Sequence, residues 1–348
     1  MSPSASLPPG NVMVDVAGLE PTAAEIERLR HPLVGGVILF SRNYADRAQL
    51  RALTAAIHAA RDEPLLIAVD HEGGRVQRFR SDGYTEVPAM RTLGEQWERD
   101  RMQALRSATA AGFVLAAELR ACGVDFTFAP VLDLDHGRSG VIGTRALHRD
   151  PAVVAQLARA VAQGLALAGM GACGKHFPGH GWAEADSHHA LPVDERTLAD
   201  ILADDAAPYG WLEHAVLPAI MPAHVVYPAV DARPAGFSPV WVRDILRARL
   251  GYDGVVFSDD LTMEGATVAG DILARAQAAL AAGCDMVLVC NRPDLADELL
   301  ARLEQRPDPA SVARLRRLSP QAPALSWDAL QADTRYRQAL ADLATLSR

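Results

Sequence analysis

Eight short apolar runs, each followed by a longer amphipathic stretch, restrict the fold of this 348-residue chain more than any other feature. The runs are Val12–Val16, Gly36–Phe40, Leu65–Asp70, Phe126–Val131, Ala172–Phe177, Ala219–Val226, Val255–Asp259 and Met286–Cys290. Helix-like segments lie between them: Ala23–Arg30, Arg47–Arg61, Met102–Ala121, Ala152–Ala168, Val240–Leu250 and Ile272–Ala282. Val153, Leu157, Val161 and Leu165 recur four apart, the spacing of one helix face. Strand-helix alternation builds a parallel sheet, and eight units close it, so the fold class expected is α/β, a single (β/α)8 TIM-type barrel. The competing fold, an open doubly wound sheet, usually carries a glycine-rich phosphate loop after its first strand. Neither G-x-G-x-x-G nor G-x-x-x-x-G-K-[ST] occurs here. Positions 1–348 read as one barrel domain. Residues 1–10 are expected to fray, and 307–348 to form extra helices outside the barrel, Ser311–Leu318 and Leu330–Leu346.

Composition narrows the partners. The net charge of -9 and the lack of a Lys/Arg patch interleaved with aromatics argue against nucleic acid and against an acidic membrane surface. Cys122, Cys173, Cys284 and Cys290 are scattered and form no C-x-x-C pair, which favours buried free thiols and a reducing compartment. The first sixteen residues lack a basic segment followed by an apolar one, and no charge-free apolar run reaches the ~20 residues of a spanning helix. A cytoplasmic location is expected.

Chemistry gathers where the runs end. In a parallel barrel the C-terminal strand ends share one rim, and active sites form there. The third run ends Asp70-His71-Glu72-Gly73-Gly74-Arg75, and the fourth leads to Asp133, Asp135 and Arg145. The fifth ends Lys175-His176, the sixth reaches His224, and the seventh ends Ser258-Asp259-Asp260. A single Asp at such a place often just caps the next helix; five polar ends on one rim mark a site. Strand side chains alternate, so only one of Asp259 and Asp260 can face the barrel axis, and the other should cap a helix expected near Leu261–Glu264. Spacing alone leaves open which is which.

Four of the eleven histidines fall between 176 and 189, among glycines, Pro178, Glu184 and Asp186. Pro178, Gly179 and Gly181 permit tight turns. Asp186 and His188 are close enough for a carboxylate to orient an imidazole as a general acid/base, or equally to staple a loop. His180 reads as a brace and Trp182 as an anchor. A metal site is disfavoured: His176 and His180 are four apart, but Pro178 and Gly179 between them break a helix, and the first run carries no H-x-H pair. No cofactor and no metal are expected.

The stretch Lys175-His176-Phe177-Pro178-Gly179-His180-Gly181, followed after four residues by Asp186-Ser187-His188, resembles the signature of glycoside hydrolase family 3. Val69-Asp70-His71-Glu72-Gly73-Gly74-Arg75-Val76-Gln77-Arg78, Ile142-Gly143-Thr144-Arg145, Met221-Pro222-Ala223-His224 and Phe257-Ser258-Asp259-Asp260-Leu261 agree, in the family's order. The chain is most similar to that family's bacterial single-domain β-N-acetylglucosaminidases. The resemblance implies Asp259 as nucleophile, His188 with Asp186 as general acid/base, and Asp70, Arg78, Arg145, Lys175 and His176 as ligands of a terminal N-acetylglucosamine (GlcNAc). It implies a monomeric enzyme that releases β-linked GlcNAc from muropeptides with retention, a step of cell-wall recycling tied to cell shape and division. A β-glucosidase of the same family is the alternative; those usually carry a second domain for which this chain is too short. A histidine in place of the second carboxylate has an ordinary pKa of roughly 6.5, suited to giving and taking a proton near neutrality. A loop carrying that histidine would have to close before proton transfer, making loop motion a candidate limit on turnover.

Overall fold

The computed structural model describes residues 8–184, 187, 191–304, 307–320 and 322–346. Eight parallel strands form the centre: β1 Val12–Asp15, β2 Val34–Leu39, β3 Leu66–Val69, β4 Phe126–Thr127, β5 Cys173–Phe177, β6 Ala219–Pro222, β7 Val255–Asp260 and β8 Met286–Leu288. Their order is β4-β3-β2-β1-β8-β7-β6-β5. Parallel bridges Phe126↔Gly171 and Val131↔Lys175 join the two ends into a barrel. β4 is shorter than the apolar run that encodes it because Pro130 has no N–H for the ladder. The seam is sewn instead by Cys173 N to Ala129 O and Leu132 N to Lys175 O, both 2.7 Å.

Strand alternation separates two apolar regions. Met13, Ile38, Ala68, Phe126, Cys173, Phe257 and Met286 fill the lumen, while their neighbours Val14, Val37, Ile67 and Val256 pack outward under the helices. Phe126, Phe128 and Phe257 plug the barrel with centroids 5.2–5.7 Å apart. Val255 and Phe257 point inward, and alternation extends that face to Asp259, with the β7–β8 register shifting between Phe257 and Asp260.

Two expectations need correction, and one helix was unforeseen. The sixth run ends as barrel strand at Pro222, and its last residues pair at Val226–Tyr227 with Asp231–Pro234 in a separate hairpin. A helix at Arg91–Arg99, which no expectation covered, precedes Arg101–Ala121; the Asp100 carboxylate accepts Gln103 N and starts the second helix. Leu330–Leu346 is not one helix. Asp333 ends Trp327–Ala332 and caps Thr334–Leu343 by accepting the N–H groups of Arg335 and Tyr336. These C-terminal helices lie on Arg101–Ala121, where the Tyr336 hydroxyl donates to buried Glu118 at 2.6 Å. No helix among the described residues is long and apolar enough to cross a membrane.

Candidate active site

A cavity of about 570 Å³ opens at the C-terminal rim, lined by residues of β2, β5, β6, β7 and β8 and of the loops after β2, β3, β4, β5, β7 and β8. Its floor is apolar, made by Ile38, Phe128, Met221 and Leu288. Its walls hold Asp70, Arg78, Arg145, Lys175, His176 and Asp259, six of the eight residues singled out from the sequence. The other two, Asp186 and His188, lie outside the described residues.

The wall from β3 to β5 is a chain of paired charges. Lys175 Nζ, with 2 % of the side chain exposed, donates to Asp70 Oδ1 at 2.6 Å and lies 2.7 Å from Glu72 Oε1. Arg145 grips Glu72 with two parallel bonds, Nε to Oε2 and Nη2 to Oε1, each 2.8 Å. Burial alone would raise the Glu72 carboxyl, but Arg145 and Lys175 hold it far below the usual carboxylate range. Burial would lower the Lys175 ammonium, yet Asp70 and Glu72 raise it. Arg78 closes the row with Nη2 3.8 Å from Asp70 Oδ2. Glu72 escaped the sequence reading although the signal was there: it sits two residues after Asp70, and alternation puts both on one side.

His176 is braced from behind. Asp133, fully buried, meets His176 Nδ1 at 2.7 Å and accepts the backbone N–H of His176 (3.1 Å) and of His180 (2.7 Å). Burial pushes the Asp133 carboxyl up; His176 and these N–H donors overcome that and keep it low. An acid framed by Leu132 and Leu134 in an apolar run was the available clue.

The opposite wall is built differently. The Asp260 carboxylate, although it also borders the cavity, is taken up locally, accepting Thr262 N at 2.9 Å and Thr262 Oγ1 at 2.8 Å. It therefore caps the turn after β7, while Asp259 occupies the cavity side and accepts Asp260 N at 2.8 Å. Buried His224 has Nε2 3.1 Å from Asp260 O and so steadies the same strand end. Burial raises the Asp260 carboxyl despite its N–H partners.

The start of the histidine-rich loop is clamped. Trp182 lies between the Arg138 and Arg196 guanidiniums, 4.6 and 4.4 Å from its ring, with His136 edge-on at 5.2 Å. His136, Asp204 and Asp205 come within metal-ligand reach of one another, but Arg196 Nη1 already sits 2.6 Å from Asp205 Oδ2. Their arrangement is an ion-paired support for the tryptophan. Ser187 is buried, with Oγ 3.3 Å from His180 Nε2 and its carbonyl accepting Gly265 N at 3.0 Å. The glycines here serve close approach: a Cβ on Gly181 would fall 1.9 Å from Leu134 O, and one on Gly179 would fall 2.4 Å from Asp205 Cβ. Alanine would clash with the Leu134 backbone at Gly181 and with the Asp205 side chain at Gly179.

The cavity thus brings a carboxylate on one wall opposite a row of paired cations and acids on the other. Residues 11–317 match the profile of the glycosyl hydrolase family 3 N terminal domain. The chain belongs to glycosyl hydrolase family 3. Within this family it is 73% identical over 333 residues to a beta-hexosaminidase of Bordetella avium, covering 96% of this chain and 95% of that one. A beta-hexosaminidase of Aromatoleum aromaticum is 61% identical over 337 residues, covering 97% and 95%. Neisseria gonorrhoeae NagZ, solved in complex with N-trifluoroacetyl-D-glucosamine, superposes with a TM-score of 0.92 at 48% identity, over 99% of this chain and 100% of that one. The enzyme class is thus that of a glycoside hydrolase, a β-N-acetylhexosaminidase of the NagZ type, on a (β/α)8 barrel.

Proposed function

We propose that this family 3 hexosaminidase is a retaining exo-enzyme that removes terminal β-linked GlcNAc from muropeptides, including GlcNAc-1,6-anhydro-N-acetylmuramic acid, during cytoplasmic peptidoglycan recycling. Asp259 attacks the anomeric carbon. The bond to the leaving oxygen breaks, and His188, oriented by Asp186, gives that oxygen its proton. Water then attacks the glycosyl-aspartate, His188 takes the water's proton, and the carboxylate leaves. The roles of Asp186 and His188 rest on the motif Asp186-Ser187-His188. Asp70, Arg78, Arg145, Lys175 and His176 bind the sugar, whose many oxygens suit this mixture of donors and acceptors. The protein acts as a monomer on a small-molecule substrate, without cofactor or metal. The alternative of a β-glucosidase has the same wall but needs no acetamide recognition.

The observation that carries the reading is the inward aim of Asp259 into the cavity that also holds Asp70, Arg145 and Lys175. The test is release of nitrophenol from 4-nitrophenyl N-acetyl-β-glucosaminide, with the β-glucoside as control and chelator present. Wild type should hydrolyse the N-acetyl substrate alone. Quenched His188→Ala enzyme should carry one N-acetylhexosaminyl group on the peptide containing Asp259. Turnover that persists in Asp259→Ala, or a label elsewhere, ends the assignment.

A further inference from the structure

The paired charges on the β3–β5 wall divide into two kinds. Asp70 leaves 22 % of its side chain exposed and spends one oxygen on Lys175, so it has capacity for a sugar hydroxyl. Glu72 exposes 2 % and has both oxygens occupied, Oε1 by Arg145 Nη2 and Lys175 Nζ, Oε2 by Arg145 Nε. A carboxylate in that state has little left to offer a ligand. It does control what its partners offer. An ammonium has three N–H donors and a guanidinium five, in a planar fork. Asp70 and Glu72 take two from Lys175, leaving one. Glu72 takes one edge of Arg145, which turns the other edge away from the carboxylate, with Nη1 3.4 Å from Val141 O at the cavity wall.

We propose that Glu72 is the positioning residue of the sugar site, the anion that aims Arg145 and Lys175 together into the cavity. This deepens the proposed function and rests on it, since Arg145 and Lys175 must be sugar ligands for their aim to matter. Rigidity follows from burial. Two cations cannot rest side by side in a dry wall without an anion between them, and a bidentate grip fixes orientation as well as charge. The same anion sustains the charge on Lys175. That ammonium faces Asp70 from the end of β3, Glu72 from the hairpin after it, and Arg145 from the turn after β4. Asp259 of β7 lines the same cavity, and the Cys173 thiol lies beneath on β5. Take away Glu72, and a buried Lys175 keeps Asp70 in contact while Arg145 still repels it, so it loses its proton at lower pH.

The experiment compares wild type, Glu72→Gln and Glu72→Asp. The readouts are GlcNAc affinity by calorimetry, kcat and KM on 4-nitrophenyl N-acetyl-β-glucosaminide, the alkaline limb of kcat/KM, and Tm. Glu72→Gln should weaken GlcNAc binding and raise KM about 10–100-fold, as loss of a supporting shell does elsewhere, with a smaller change in kcat. Its alkaline limb should move to lower pH. Glu72→Asp keeps the charge and shortens the reach. It should retain the wild-type limb while still weakening binding, and it carries the test if Glu72→Gln does not fold. Wild-type affinity in either variant overturns the proposal. So does equal loss of kcat and Tm in both with KM and the limb unmoved, the signature of a merely structural residue. A wild-type enzyme that neither binds GlcNAc nor hydrolyses the glycoside would instead remove the sugar-site reading beneath it.

Discussion

The two walls of the cavity solve the same problem in opposite ways. On the β3–β5 side, buried charges neutralise one another through Asp70, Lys175, Glu72 and Arg145. On the β7 side, Asp260 is held by hydroxyl and backbone donors, with His224 Nε2 on its carbonyl. The first arrangement presets donors for a ligand at the cost of desolvating four ions. The second fixes a strand end through neutral groups, and that strand end carries Asp259 on the cavity side. The difference suggests a division of labour, binding on one wall and reaction on the other.

That division is open to attack, most strongly at Asp259. Asp259→Ala should lower kcat/KM by about 10⁴-fold or more, as loss of a covalent nucleophile does, while leaving GlcNAc affinity and Tm near wild type. A large loss of GlcNAc affinity would mean the walls are not separate. Lys175→Met should do the reverse. It takes the shared cation from Asp70 and Glu72, leaving Glu72 to Arg145 and Asp70 to Arg78, and urea titration should show a loss of about 3 kcal/mol of stability, the lower end of the range for breaking a buried pair. GlcNAc binding should vanish with it; a variant as stable as wild type would show the charge chain to be incidental.

Acid pH separates the walls again. Glu72 and Asp133 have folded pKa values below the unfolded ones. Their stabilisation is therefore fully present above the unfolded carboxylate value of about 4 and is lost as pH falls through their lowered folded values. Wild-type Tm should fall in that window, and Lys175→Met should fall less steeply there because Glu72 has lost part of what holds it down. Equal slopes would exclude Glu72 as a source of the acid limb. Asp260 has the opposite sign, since burial raises its folded pKa. Its ionised form costs stability at neutral pH, and that cost fades as pH falls through the raised value toward the unfolded one. Asp260→Asn should thus match or exceed wild-type stability at pH 7, with any gain disappearing in acid. Thermal melts of the two proteins across the acid range check this, and a loss of several kcal/mol at neutral pH would show that Asp260 is needed as an anion.

Much of the site is legible in the chain itself. Asp70, Lys175, His176 and Asp259 stand at strand ends, Arg78 and Arg145 in the loops that follow, and parallel strands must bring such ends to one rim. Glu72, Asp133 and His224 are visible there as residues but not as parts, because their work is done through partners 73, 43 and 36 positions away. No local pattern encodes a pairing of that span. The tight packing of Gly179 and Gly181 is hidden for the same reason: Asp205 and Leu134, which crowd them, come from other segments.

The amino-acid order alone determined the alternation of strand and helix, the closure of eight units, and the inventory of acids, cations and histidines at the rim. Periodicity and residue chemistry are local properties, and both are complete in the chain before it folds. Only the tertiary structure decided that Asp260 spends its carboxylate on Thr262, that Glu72 lies between Arg145 and Lys175, and that Asp133 stands behind His176. Those outcomes depend on the register of strands and on which charges are buried together. Both are set by packing the whole barrel, where a desolvated ion must find its partner from another strand or loop.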